Sequence, residues 1–295
     1  MKRRPWRSTP GQPFEMRFPP SLIERLLAED VPGADLTTEA LGIGSLRGCM
    51  EFRARSDMTV AGIEIAAELI SHAGGEVSVP VAAGTSAKAG DLILSAWGPA
   101  AALHISWKTA QTLTEILSGI ATAARALVDA VETVRPDVKV ACSRKTVPLT
   151  RRLSAMAIRS GGAIVHRLGL SETILVFPEH RAFLPDAGLK ELARTLRREA
   201  PEKKLGIETA TIGDAREAIE AGFDIVQLEK MQPHEVAAVA EFVRARGADT
   251  LIAAAGGITP ANAGAYVRAG AGLIVSSWPY TAKPADIAVT IARAA

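Results

Sequence analysis

The sequence predicts an α/β protein of two domains, an N-terminal α+β module followed by a parallel α/β barrel, open or closed. Three observations carry this. With 295 residues the chain has reached the size at which a single hydrophobic core stops growing. Its second half alternates apolar runs of about five residues with helical patterns, the grammar of βαβ units and a parallel sheet. No Gly-x-Gly-x-x-Gly follows any of these runs, so nothing calls for a doubly wound dinucleotide fold.

The elements follow in order. Residues 1–17 open with MKRRPWRSTPGQP, which is basic, has no apolar segment of the kind a signal peptide needs, and reads as a flexible tail. The N-terminal domain is expected over 18–120. It starts with FPPSLIERLLAED, where Ser21 is placed to cap an apolar-periodic helix. Strands are expected in MEFRARS, EVSVPVA and DLILSAW, with a helix in AGIEIAAELISHAGG. The Ala- and Thr-rich stretch LHISWKTAQTLTEILSGIATAARALVDAVET reads as one long helix joining the domains, bent at Gly119. The barrel domain is expected over 121–280, with strands VKVACS, AIVHRL, TILVF, KLGIET, DIVQLE, TLIAAA and GLIVSS. Residues 281–295 are read as a C-terminal helix, free to return to the N-terminal domain.

Composition excludes several function classes. Hydrophobic residues make up 48% and charged residues 22%, which argues against disorder, and no apolar run reaches the ~18 residues of a membrane span. A formal charge of +2 with four Trp, two Tyr and seven Phe gives neither the basic field nor the stacking surface that nucleic acid requires. Small-molecule substrates are the expected partners. Cys49 and Cys142 are far apart and outside any Cys-x-x-Cys spacing, which points to buried thiols in the reducing cytoplasm.

In a parallel barrel the reacting groups come from the carboxyl ends of the strands. Those positions here are Arg144 and Lys145, His166 and Arg167, His180, Glu208, then Glu229 and Lys230. The last two strands end in Ala255, Gly256 and Gly257, and in Ser276 and Ser277. One such residue is ordinary strand flanking, but four cations facing two carboxylates form a site for an anion beside a divalent metal. The backbone N–H groups of AAGGIT, next to a helix opening at Thr259 and Pro260, suit a phosphate. Glu208 and Glu229 best suit Mg²⁺, which is held by one or two carboxylates together with substrate phosphates. His166 and His180 lack the spacing of a zinc site.

DLTT at 35–38, LSGIAT at 117–122, SRKT at 143–146, GGAIVHRLGL at 161–170 and AAGGIT at 254–259 together resemble the quinolinate (nicotinate-nucleotide) phosphoribosyltransferase family. Within it the sequence is most similar to the ModD subfamily, associated with molybdate transport. The resemblance implies an N-terminal α/β sandwich and a type II phosphoribosyltransferase barrel. It also implies a homodimer or higher oligomer with shared active sites, and phosphoribosyl pyrophosphate with Mg²⁺. Arg144, Lys145, His166 and Arg167 match the family's basic substrate-binding groups, and Glu208 its first acidic residue. Glu229 stands where the family has Asp, and Lys108 where it presents an Arg to the neighbouring subunit's substrate. Lys145, Glu208 and Glu229 are the expected catalytic residues.

The largest departure is LVFPEH, where the family reads LIKDNH, so that Phe177 replaces a Lys that contacts quinolinate. The expected activity is therefore phosphoribosyl transfer to an acceptor less acidic than quinolinate. Two alternatives stand beside it: a true quinolinate phosphoribosyltransferase, and a non-catalytic oxyanion- or nucleotide-binding regulator. The paired glutamates count against the regulator, since a bare anion sensor gains nothing from carboxylates in its site.

Overall fold

The computed structural model describes residues 19–294, so the tail expected over 1–17 lies outside the described residues. Helix α1 (Pro20–Asp30) starts two residues earlier than a Ser21 cap would allow, with Pro19 as N-cap and Pro20 as the first helical residue. Proline supplies the first turn's φ and lacks the N–H that would go unpaired there, so no side-chain cap is needed. Helix α2 (Leu36–Ala40) is capped instead by Asp35, whose carboxylate accepts hydrogen bonds from the Thr37 and Thr38 backbone N–H groups. The module continues with β1 (Arg47–Ala54), β2 (Met58–Thr59), α3 (Ile63–His72), β3 (Glu76–Ser78), β4 (Ser86–Ala87) and β5 (Leu92–Pro99).

Helix α4 (Ala100–Glu132) runs unbroken for 33 residues through Gly119. That glycine has a packing role. A Cβ at position 119 would lie 2.3 Å from the Lys283 carbonyl oxygen and 3.0 Å from Pro284 Cα, so the absent side chain lets the returning chain lie directly on the helix. No helix among the described residues is long and apolar enough to cross a membrane.

Beyond α4 the chain alternates: β6 (Lys139–Cys142), α5 (Arg151–Ser160), β7 (Ile164–Val165), β8 (Ile174–Val176), α6 (Pro178–Arg181), α7 (Leu189–Glu199), β9 (Leu205–Thr209), α8 (Ile212–Glu220), β10 (Ile225–Glu229), α9 (Pro233–Arg246), β11 (Leu251–Ala255), α10 (Pro260–Arg268) and β12 (Leu273–Ser276). All seven expected strands form. They make one parallel sheet in the order β7-β6-β12-β11-β10-β9-β8, whose end strands are not hydrogen-bonded to each other, so the barrel is open. Strand alternation sorts the side chains. Val140, Ile207, Val226, Leu228, Ile252 and Ile274 join the main core, while Ala141, Ala253, Ala255 and Val275, with Ile225 and Leu273 against them, form a separate small cluster on the opposite face of the sheet.

The C-terminal segment departs from expectation. The helix expected over 281–295 is not seen in its described residues: a 3₁₀ turn (Trp278–Thr281) leads into β13 (Ile287–Arg293). This strand pairs antiparallel with β1, completing a sheet in the order β13-β1-β5-β3. The IAVTIAR sequence is rich in β-branched residues, and β1 would otherwise present an unpaired edge. Met50 opposite Ile291 and Phe52 opposite Val289 give that pairing an apolar inner face.

The contact at Gly119 gives a test. Gly119→Ala should lower the unfolding free energy by about 2 kcal/mol, because both nearest atoms are backbone and cannot turn aside. Gly33→Ala, where nothing lies within 4 Å of the added carbon, should be near neutral. Urea unfolding of both variants measures the difference; equal midpoints would show that the 283–284 segment does not lie on α4.

Candidate active site

The parallel strands all end at one rim, and their carboxyl ends enclose a cavity of about 540 Å³. Twelve of the thirteen residues assigned to the site from sequence line it: Arg144 and Lys145 after β6, His166 and Arg167 after β7, Phe177 after β8, Glu208 in β9, Glu229 ending β10, Ala255 with Gly256 and Gly257 at the end of β11, and Ser276 with Ser277 at the end of β12. The thirteenth, Lys108, lies outside the cavity on α4, exposed, with its ammonium over the Trp107 ring and hydrogen-bonded to Gln111 Oε1 at 3.1 Å. His180, on the short helix α6, does not line the cavity either.

Arg167 is the most telling of the cations. It is 5% exposed, its Nη1 donates to the Thr173 carbonyl at 3.3 Å, and its guanidinium sits 5.6 Å from the centre of the Phe177 ring. Among the described residues no carboxylate pairs with it. Burial, with Arg144 nearby, pushes its pKa below the usual arginine value. Burial, together with Arg167 and Arg144, also holds His166 below the usual histidine value and so favours its neutral form. Phe177 is itself fixed from the other side of its sequence: its N–H donates to His180 Nδ1 at 2.9 Å, and the two rings stack with centroids 5.8 Å apart. The aromatic residue that replaces the family's Lys thus packs a buried guanidinium.

The acidic side lies on the adjacent strands β9 and β10. Burial raises the Glu208 pKa, and Glu229 and Glu179 raise it further, against the hydrogen bond from Gln227 and the charge of Lys145. Among the described residues no group of three or more His, Cys, Asp or Glu side chains is arranged to hold a metal. Two carboxylates facing one cavity nevertheless match a hard cation that takes its other oxygens from water and phosphate.

At the end of β11 the backbone turns left-handed twice, at Gly256 (φ 89°) and Gly257 (φ 70°). A Cβ on Gly256 would stand 2.6 Å from Lys230 Cγ and 2.9 Å from Glu229 Oε1, so only glycine fits beneath these side chains. Asn262, in the first turn of α10, accepts from the Thr259 N–H at 2.8 Å and donates to the Gly257 carbonyl at 3.1 Å, which orders the loop. The Ser276 hydroxyl donates to the Ile258 carbonyl and accepts from the Trp278 N–H, bracing β12 to the loop. Ser277, only partly buried, lines the cavity without such a commitment.

Sequence reasoning gave no site role to Gln227, Glu179 or Trp278, and it placed Lys230 at a strand end without giving it a role; all four line the cavity. Gln227 had a readable signal, since it sits two residues before Glu229 and strand alternation puts both on one face. Lys230 adopts a left-handed backbone (φ 57°), which no spacing argument foretells for a lysine.

Comparison with known proteins agrees with this architecture. Residues 35–118 match the N-terminal domain model of quinolinate phosphoribosyl transferase, and residues 120–290 match its C-terminal domain model. The chain is 46% identical over 248 residues to the ModD protein of Rhodobacter capsulatus, covering 83% of this chain and 94% of that one. It is 38% identical to the ModD protein of Escherichia coli O6:H1, covering 92% and 96%. The crystal structure of nicotinate-nucleotide pyrophosphorylase from Ehrlichia chaffeensis superposes with a TM-score of 0.87 at 21% identity, covering 95% of this chain and 100% of that one, and so shares the fold. With both domain models matched in order across nearly all of the described residues, the chain belongs to the quinolinate phosphoribosyltransferase family of pentosyl-transferring enzymes.

Proposed function

We propose that this chain transfers phosphoribose from phosphoribosyl pyrophosphate to a nitrogen-containing acceptor less acidic than quinolinate. One observation carries the reading: a buried arginine with no acidic partner among the described residues, set in a cavity with Arg144, Lys145 and His166. A buried charge left unpaired costs several kcal/mol, so the site is built for an anionic ligand that completes it. Arg144, Lys145 and Arg167 bind the ligand's anionic groups, and the Gly256–Gly257 amides with Ser277 take a phosphate. Glu208 and Glu229 would hold Mg²⁺, which would supply charge neutralisation for the pyrophosphate group. The same carboxylates face the ribose, where positive charge develops as the anomeric carbon loses its leaving group.

The acceptor assignment rests on Phe177 in place of a Lys, since a second carboxylate would then lack its cation. The link to molybdate transport rests on the likeness to ModD proteins alone. The cytoplasm fits a chain whose Cys142 thiol is buried and pushed up to about 12, outside any thiolate chemistry. Lys108, exposed on α4 and outside its own cavity, serves the cavity of a second copy.

Glu208→Gln and Glu229→Gln should each weaken Mg²⁺-dependent binding of phosphoribosyl pyrophosphate by about tenfold, or 1.4 kcal/mol, without loss of fold. Because the Glu208 pKa is raised, its charged form is lost as pH falls through a value above the usual glutamate range. Binding to the wild type should therefore weaken earlier on acidification than binding to Glu208→Gln. Calorimetric titrations across pH that show the same affinities for all three proteins would make the carboxylates bystanders. Steady-state assays with quinolinate should give kcat/KM below about 10⁴ M⁻¹s⁻¹, the low end of ordinary enzymes; a higher value restores quinolinate as the substrate. Light scattering at micromolar concentration should show at least a dimer, and Lys108→Met should weaken acceptor binding without dissociating it; a monomer with normal phosphoribosyl pyrophosphate binding would refute the shared site.

A further inference from the structure

We infer that Gln227 is a positioning residue that fixes the Glu208 carboxylate for its ligand. Three observations carry this, and none depends on the identity of the acceptor. First, Gln227 Nε2 donates to Glu208 Oε2 at 2.6 Å, and this is the one hydrogen bond to the Glu208 side chain among the described residues. Second, Gln227 is 6% exposed, so its amide is held by packing in the barrel rather than sampling solvent. Third, the other end of the amide is unspent: Gln227 Oε1 is buried and has no partner among the described residues.

Local geometry explains why a glutamine serves. Glu208 and Gln227 are direct neighbours in the parallel register of β9 and β10, and Ala253 stands opposite Gln227 on β11. An ionised carboxylate only accepts hydrogen bonds, so the amide must turn its NH₂ toward Glu208 and its carbonyl away. Glu229 and Glu179 repel the same carboxylate, and a glutamate free to rotate would swing from them; the Gln227 donor holds it in one orientation. A residue that acts this way leaves the chemistry to Glu208 and sets only the angle at which its oxygens meet the ligand.

The role for binding rests on the phosphoribosyl-transfer reading, and the test separates the two. Gln227→Met keeps the length of the side chain and removes the donor, while Gln227→Asn keeps an amide but draws it back by one methylene. The Glu208 carboxylate ¹³C resonance, assigned with Glu208→Gln, is measured in ligand-free protein at a pH where it is ionised. It should shift in both variants. Phosphoribosyl pyrophosphate with Mg²⁺, titrated calorimetrically, should bind about tenfold more weakly to both. The melting temperature of Gln227→Met should be unchanged or higher, because the substitution also removes a buried acceptor without a partner. A resonance that stays in place in both variants overturns the inference, as does a shifted resonance with unchanged affinity. Should the wild type bind no phosphoribosyl pyrophosphate, the reading of the site fails, and the resonance still decides whether Gln227 holds Glu208.

Discussion

Parallel pairing forces every strand of the barrel to end at the same rim, and that constraint governs the rest of this molecule. The seven strand ends deliver Arg144, Lys145, His166 and Arg167 from one side of the sheet order and Glu208 and Glu229 from the other. Residues 85 positions apart in sequence, such as Arg144 and Glu229, thereby line one cavity. The barrel interior makes the space: Ala141, Ala253 and Ala255 are too small to fill it. A barrel packed with Leu and Ile at these positions would be solid to the rim.

Charges of both signs stand in this cavity without neutralising one another. Arg167 leans on a phenyl ring and a carbonyl instead of a carboxylate, and Glu208 leans on an amide instead of an ammonium. Each arrangement is a compromise between burial, which opposes charge, and a neutral partner that tolerates it. Ion pairs inside the cavity would stabilise the empty protein and compete with substrate. Neutral partners hold the charges in place and leave their ligand-facing sides free, which is how a site achieves preorganisation without self-quenching.

The two sheets are tied together by the chain itself. Helix α4 packs against α3 in the first module and against α5 and α10 in the second, and one apolar core runs through both, from Phe52 and Ile63 through Leu127 to Val226. The segment after β12 then crosses α4 at Gly119 and adds β13 to the N-terminal sheet. The last strand of the chain therefore closes the first sheet, and the rim loop carrying Ser277 and Trp278 is anchored at both ends by sheet.

Much of this was legible in the sequence, because its signals were local. Apolar runs with helical spacers gave all seven barrel strands, and strand-end position placed eleven of the site residues at one rim. The family motifs, short and contiguous, identified the pentosyl-transfer fold. What the sequence could not determine was decided by contacts between distant segments. Residues 287–293 became a strand because β1 offered an edge to pair, a partner more than 230 residues away. Gly119 serves as a crossing point because residues 283 and 284 lie on it, and Ser276 is a brace because Ile258 and Trp278 use its hydroxyl. Gln227 reads as one polar residue in an apolar strand until β9 sets Glu208 beside it. Propensity and periodicity fix which element forms; which side chain meets which is fixed by register and by the folding back of the chain, and no local pattern encodes it.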